Sequence, residues 1–214
     1  MKRLAAALIA VLALSACAVT GQPAHPGTAA TYDGSTITVD EVAAWGSAQT
    51  QMQYSYDPGA VLSLLLLRPA LVAETKKESI VFGDEQIATE ATMWMTSHGA
   101  DTVTPTTDMI DLVRTVRMLH ALLSTQEGST AVMLALKSIE ADSQVSPMYG
   151  TFSATRFVNS VSQQATAQQD AAGALGDVSY LVFKDVNGFD VTAQQGWMVD
   201  EGPQPASPSP SAAP

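Results

Sequence analysis

Cysteine is almost absent from this sequence, and its scarcity excludes several classes of protein. The chain of 214 residues contains a single cysteine, Cys17. One cysteine cannot form an internal disulfide, so an apolar core must hold the fold together. It also cannot supply the cysteine sets that hold structural zinc. We therefore expect neither a disulfide scaffold nor a zinc module.

Histidine and the common catalytic motifs are also scarce. The three histidines are His25, His98 and His120, and no two of them have the spacing of a metal site on a helix. The G-x-S-x-G, G-x-G-x-x-G and P-loop patterns do not occur in the sequence. The sequence therefore predicts a protein that is not an enzyme and that uses no metal or cofactor.

Positive charge is in short supply as well. Lysine and arginine number 10 against 21 aspartates and glutamates, which gives a formal net charge of −11. A chain with this balance should repel nucleic acid and anionic membrane surfaces. Solubility alone also explains such acidity. We therefore expect no nucleic-acid partner.

The N-terminal residues are typical of an exported protein. Lys2 and Arg3 precede an apolar run over residues 4–14, as in a secretory signal. The sequence Leu14-Ser15-Ala16-Cys17 resembles the lipobox of bacterial lipoproteins. That resemblance implies cleavage of residues 1–16 and a lipid on Cys17, which would anchor the chain to the extracytoplasmic face of the cell membrane. Residues 17–29, rich in Gly, Pro, Thr and Ala, are then expected to form a flexible tether.

Residues 30–37 have the composition of a small β-hairpin that leads into a capped helix. Asp33-Gly34 suits a type I′ turn. Thr38 and Glu41 have the spacing of a capping box, so a helix should begin near Val39. Its predicted inner face consists of Val42, Trp45, Gln49 and Met52.

Residues 61–72 are the most apolar stretch after the signal and should form the central helix, over residues 58–77. The run is too short to span a bilayer, which takes about 20 apolar residues. Pro69 should kink this helix or split it in two. The predicted core residues are Leu62, Leu65, Leu66 and Val72.

Further helices are expected along the chain. Residues 80–82 have strand composition, and a helix should then run from Gly83 to Gly99. Another should start at Thr104-Pro105 and end at Gly128, and one more should cover residues 131–141. Residues 163–170 carry little signal, and residues 178–183 have strand composition. The predicted inward residues of these helices are Ile87, Ala91, Trp94, His98, Met109, Leu112, Val113, Val116, Leu119, Leu123, Val132, Leu136 and Ile139.

Two segments carry a family resemblance. The hairpin at residues 32–38 with Glu41-Val42, and the junction at residues 79–87, resemble the SurA/PrsA-type N-terminal chaperone domain. The junction departs from that family at Gly83, where a serine cap is usual. Residues 144–152 resemble the segment that closes actinobacterial lipoproteins carrying this domain alone, with Ser146 and Met148 in place of Asn and Arg.

The resemblance implies a mainly α fold with a small sheet that joins the N- and C-terminal segments. The chaperone-like domain would cover residues 30–152, an extension packed on it residues 153–202, and a disordered Pro/Ser/Ala tail residues 203–214. We expect Val145 to pair with the N-terminal hairpin, because an isolated two-stranded hairpin is barely stable in water.

The resemblance also implies a function. It suggests a holdase that binds unfolded or extended segments of exported proteins. A module that docks one cell-envelope partner is the alternative. A prolyl isomerase is less favoured, since residues 151–202 contain no histidine. Flexible methionines suit apolar binding grooves, although they also fill irregular cores. The candidate client-binding residues are Met93, Met95, Met118 and Leu122, of which Met118 and Leu122 lie off the main apolar stripe and should be exposed.

Overall fold

The computed structural model describes residues 27–97, 99, 104–170 and 183–190. Within these ranges the fold is mainly α-helical with small antiparallel sheets, as the sequence predicts. The predictions for Cys17, His25, His98, residues 178–182 and the tail concern residues outside these ranges. The helices are α1 (Val39–Gln51), α2 (Pro58–Lys77), α3 (Asp84–Ser97), α4 (Thr107–Leu123), α5 (Gln126–Asp142) and α6 (Ala154–Asp170).

The first sheet joins the two ends of the helical body. Its strands are β1 (Thr28–Tyr32), β2 (Ser35–Thr38) and β3 (Gln144–Val145), in the order β2-β1-β3. The hairpin turn has φ of 49° at Asp33 and 72° at Gly34, as a type I′ turn requires. Val145 lies opposite Ala30 in the β1–β3 pair. Both the predicted hairpin and its predicted partner are therefore confirmed.

A second sheet closes the described chain. It pairs β4 (Thr151–Phe152) with β5 (Phe189–Asp190). The rings of Phe152 and Phe189 meet edge-on with centroids 5.3 Å apart, and both side chains are buried. This sheet attaches the segment after α6 to the helical core.

The start of α1 follows the predicted capping box. The Glu41 backbone N–H donates to Thr38 Oγ1 at 3.1 Å, and the Thr38 N–H donates to Glu41 Oε2 at 2.7 Å. These bonds satisfy donors that a helix N-terminus otherwise leaves without partners. The predicted inner face, Val42, Trp45, Gln49 and Met52, is buried throughout.

The central helix, α2, has the predicted bounds. It runs unbroken through Pro69, so the predicted split does not occur. Proline removes one backbone donor, but Arg68 fixes this segment to its neighbours. The Arg68 guanidinium donates to Asp111 Oδ2 at 2.9 Å and lies 5.6 Å from the Trp45 ring centroid.

One predicted core residue of α2 is wrong. Leu62, Leu65 and Leu66 are buried, but Val72 is 47% exposed. Beyond Pro69 the helix is covered on one side only, so Leu71 and Thr75 are buried and Val72 faces solvent. By length and composition α2 could cross a membrane, yet most of its apolar part is buried in the bundle, as in the core helix of a globular protein.

Several elements begin or end at other residues than the sequence predicts. Residues 80–82 form a connection without regular secondary structure, and not a strand. Helix α4 begins at Thr107 and not at Thr104-Pro105, because Thr106 caps it: its Oγ1 accepts the Met109 N–H at 3.3 Å. Gly128 does not end α4 but lies in the first turn of α5, where a Cβ would sit 2.4 Å from the Leu122 carbonyl oxygen.

Two helices cover more residues than the sequence predicts. Helix α5 begins at Gln126, five residues before the predicted start, because Thr125 caps it. Residues 163–170, which carry little sequence signal, belong to α6. Phe183 lies in a 3₁₀ turn and not in a strand. The predicted inward residues of α3, α4 and α5 within the described ranges are buried, apart from the half-buried Leu123.

Candidate functional site

The four candidate client-binding residues do not form one surface. Met93 is 51% exposed, whereas Met95, Met118 and Leu122 are 1%, 4% and 0% exposed. The predicted exposure of Met118 and Leu122 is therefore wrong. Helix α4 packs against α1, α2, α3 and α5, so side chains beside its main stripe also meet neighbouring helices. The Thr75 hydroxyl, for example, contacts Met118 Sδ at 3.6 Å.

Met93 lies in a shallow depression on the outer face of α3. The depression has a volume of about 630 Å³. Its described lining comes from one side of the helix, opposite the buried stripe of Ile87, Ala91 and Trp94. We call this surface the α3 outer face; it consists of Glu85, Ala88, Thr89, Thr92, Met93 and Thr96.

The three threonines make the α3 outer face less polar than its sequence suggests. Thr89 Oγ1 donates to the Glu85 carbonyl at 2.8 Å, and Thr92 Oγ1 donates to the Ala88 carbonyl at 2.9 Å. Thr96 Oγ1 donates to the Thr92 carbonyl at 2.8 Å. Because each hydroxyl hydrogen bonds the preceding turn, the face offers mainly methyl, methylene and thioether groups to a ligand.

Buried contacts hold α3 in place behind this face. The Trp94 indole N–H donates to the Met52 carbonyl at 3.0 Å, and its ring stacks on Tyr54 with centroids 4.9 Å apart. At the start of the helix, the Arg114 guanidinium donates to Asp84 Oδ1 at 2.5 Å. The outer face therefore belongs to a helix fixed to both α1 and α4.

The charge distribution leaves the described surface acidic. Eight basic residues follow residue 16, and six of them are ion-paired with carboxylates inside the fold. The chain has 21 acidic residues, so negative charges outnumber these positive ones. The resulting negative potential favours cationic ligands over anionic ones. The paired residues are Arg68, Lys77, Arg114, Arg117, Arg156 and Lys184.

Lys184 is a buried cation that sequence reasoning missed. Its ammonium lies 3.5 Å from the centroid of the Tyr54 ring and pairs with Asp185. Burial lowers the pKa of Lys184, while the bond to Asp185 opposes that shift. Gln49 Nε2 donates to the Lys184 carbonyl at 3.1 Å, which ties the 3₁₀ turn to α1. A lone lysine in a Phe-Lys-Asp sequence gives no signal for such a site.

Within the ranges that the structure describes, the only histidine is His120. Its surroundings disfavour the positively charged form of the imidazole ring. Its ring lies 5.7 Å from that of Phe183, centroid to centroid. Burial lowers the pKa of His120, and the neighbouring Arg117 lowers it further. Among the residues that the structure describes, no three His, Cys, Asp or Glu side chains are grouped closely enough to hold a metal ion.

Comparison of the chain with protein-family models, with curated proteins and with solved structures finds no match.

Proposed function

We propose that this protein is a lipid-anchored, extracytoplasmic holdase that binds unfolded or extended segments of exported polypeptides on the α3 outer face. The observation that carries the proposal is the depression of about 630 Å³ around Met93. The volume of this open depression lies within the range of ordinary ligand sites. Its apolar character suits the side chains that an unfolded polypeptide exposes.

The physical basis of binding is reversible burial of apolar surface. Met93 is half exposed in the unbound protein, and a client side chain laid against it would remove that area from water. Burying about half of a methionine side chain contributes roughly 1 kcal/mol. Each contact is therefore weak, which suits a holdase that must release its client. The acidic surface further favours clients that carry positive charge.

The anchoring part of the proposal rests on the N-terminal sequence. The basic start, the apolar run and the lipobox-like Leu14-Ser15-Ala16-Cys17 together support export and lipidation. A lipid on Cys17 would keep the domain at the membrane surface, where exported chains emerge unfolded. Residues 17–26 would then separate the domain from the bilayer.

Suppression of aggregation tests the proposal. The purified full chain, added in several-fold excess, should reduce light scattering when a chemically denatured model protein is diluted into buffer. Met93→Gln should require a several-fold higher concentration for the same effect. Met133→Gln is the matched control, since Met133 is also exposed but lies on α5. Absence of suppression by the unaltered chain, or equal effects of the two substitutions, would contradict the proposal.

A second candidate function is a module that docks one envelope protein. The observation that favours it is the burial of Met95, Met109 and Met118, which leaves the α3 outer face with one methionine. Promiscuous surfaces usually carry several flexible methionines. Cross-linking in intact cells followed by capture of the anchored chain distinguishes the two functions. Many cross-linked proteins support the holdase, whereas one dominant partner supports the docking module.

A further inference from the structure

A second cavity lies on a different part of the molecule, between the two small sheets. It has a volume of about 560 Å³ and is lined by the end of α5, by β3 and by β4. Gln144 of β3 and Thr151 of β4 are both exposed at its walls. The cavity shares no lining residue with the α3 outer face.

Both strands that line this cavity are edge strands in the described part of the chain. β3 pairs with β1 on one side, and β4 pairs with β5 on one side. Edge strands present backbone N–H and C=O groups that can accept another strand. An extended peptide can bind by adding itself to such an edge, with its backbone supplying the hydrogen bonds.

The charge of the cavity specifies what kind of peptide fits. Glu140 and Asp142 line it, and both lie in the last turn of α5, which contains no basic residue. The C-terminus of a helix carries a partial negative charge, so two carboxylates there are unfavourably placed. A cationic group in the cavity would relieve this repulsion.

Neither carboxylate is neutralised by an ion pair among the described residues. Glu140 Oε1 accepts the Ala154 N–H at 3.1 Å, and Asp142 Oδ2 accepts the Ser138 hydroxyl at 3.2 Å. Each bond occupies one carboxylate oxygen and leaves the negative charge in place. Both residues are exposed, so a ligand can reach them.

We infer that the cavity between β3 and β4 binds an extended polypeptide segment carrying lysine or arginine, as an added strand whose cationic side chain faces Glu140 and Asp142. The segment belongs to another protein. Residues 17–26 and 191–214 of this chain contain no lysine or arginine. A second copy is disfavoured because six of its eight basic residues beyond residue 16 are already ion-paired.

Fluorescence anisotropy with short labelled peptides tests the inference on the full chain. The probe peptide alternates lysine with threonine and valine. One matched peptide has glutamate in place of lysine, and another is N-methylated along its backbone. The lysine peptide should bind, the glutamate peptide should not, and N-methylation should abolish binding, since it removes the donors that strand addition needs.

Paired substitutions locate the binding site. Glu140→Gln with Asp142→Asn keeps both hydrogen-bond acceptors and should raise the Kd of the lysine peptide about fivefold, as expected for two solvent-accessible charge pairs. Glu127→Gln, at the other end of α5, should leave the Kd unchanged. Equal affinity for lysine and glutamate peptides, or no effect of the double substitution, would overturn the inference. Binding that is lost only in Met93→Gln would assign the peptide to the α3 outer face and overturn it too.

Discussion

Val145 lies directly opposite Ala30, so a residue from beyond α5 completes the sheet that the first strand begins. Next to this pair, the Ser146 N–H donates to the Ala29 carbonyl at 2.8 Å, and Ala29 is fully buried. Segments far apart in the sequence are thus joined by main-chain bonds. The contribution of a single main-chain hydrogen bond at this junction to the free energy of unfolding can be measured by substitution.

Ser146→Pro should break that hydrogen bond, because the ring replaces the N–H and its Cδ pushes against the Ala29 carbonyl. Ser146 has φ of −60°, which proline adopts without strain. The buried Ala29 carbonyl would lose its donor, which costs about 1–3 kcal/mol. Ser146→Ala retains the N–H and is the matched control. Urea denaturation measures both, and equal stability of the two variants would contradict the assigned role of this bond.

Asp57 links the start of α2 to the loop before β5. Its Oδ1 accepts the N–H of Gly59 at 2.9 Å, and its carboxylate accepts Asn187 Nδ2 at 2.9 and 3.2 Å. Asp57→Ala should lower the free energy of unfolding by about 1–3 kcal/mol. Combined with Asn187→Ala it should cost less than the sum of the single effects, because the two share one interaction. Strict additivity in the double-mutant cycle would show that the contact contributes nothing.

The same substitution at two glycines should have opposite effects. At Gly188 a Cβ would lie 2.4 Å from Cε2 of the buried Phe152 ring, so Gly188→Ser should cost about 1–3 kcal/mol through overpacking. At Gly83 the space is open and the residue precedes α3, so serine should stabilise the helix start by a few tenths of a kcal/mol. Thermal denaturation compares the two. A tolerated Gly188→Ser would contradict the close packing of β4 on this loop.

His120 should make stability depend on pH. Its pKa in the folded protein is lowered, mainly by burial, from an ordinary value near 6.5. The unfolded chain therefore binds the proton more readily, so stability is full above about pH 6.5 and declines as the pH falls below that value. His120→Gln should flatten the decline between about pH 7 and pH 5. Urea midpoints across this range provide the measurement, and an unchanged slope would exclude His120 as the cause.

Local signals predicted much of this fold. The type I′ turn at Asp33, the capping box at Thr38 and the bounds of α2 each follow from a few adjacent residues, and all are confirmed. Even the long-range pair with Val145 could be predicted, because a lone hairpin needs a third strand. Turns, helix caps and helix bounds that depend on a few adjacent residues are therefore predictable from the sequence.

The incorrect predictions concern which elements pack against a residue in the folded protein, and the local sequence does not reveal these tertiary contacts. Met118 and Leu122 lie off the main stripe of α4, yet helices on several sides bury them. Val72 sits in the most apolar stretch but faces solvent, because α2 loses coverage beyond Pro69. The sequence predicts that Gly128 ends a helix, whereas in the structure it allows the close approach of α5 to the Leu122 carbonyl. The cavity between β3 and β4 depends on residues brought together only by folding.

The position of β1 has a mechanical consequence. It is the middle strand of its sheet, held by β2 on one side and β3 on the other, and the Gly27 carbonyl at its start accepts the Val39 N–H at 2.8 Å. Tension that arrives along the chain from before Gly27 enters the domain at this strand. Removing β1 from the sheet requires breaking its main-chain bonds to both neighbouring strands. Under the proposed anchoring at Cys17, a pull from the membrane would therefore act first on the central strand of this sheet.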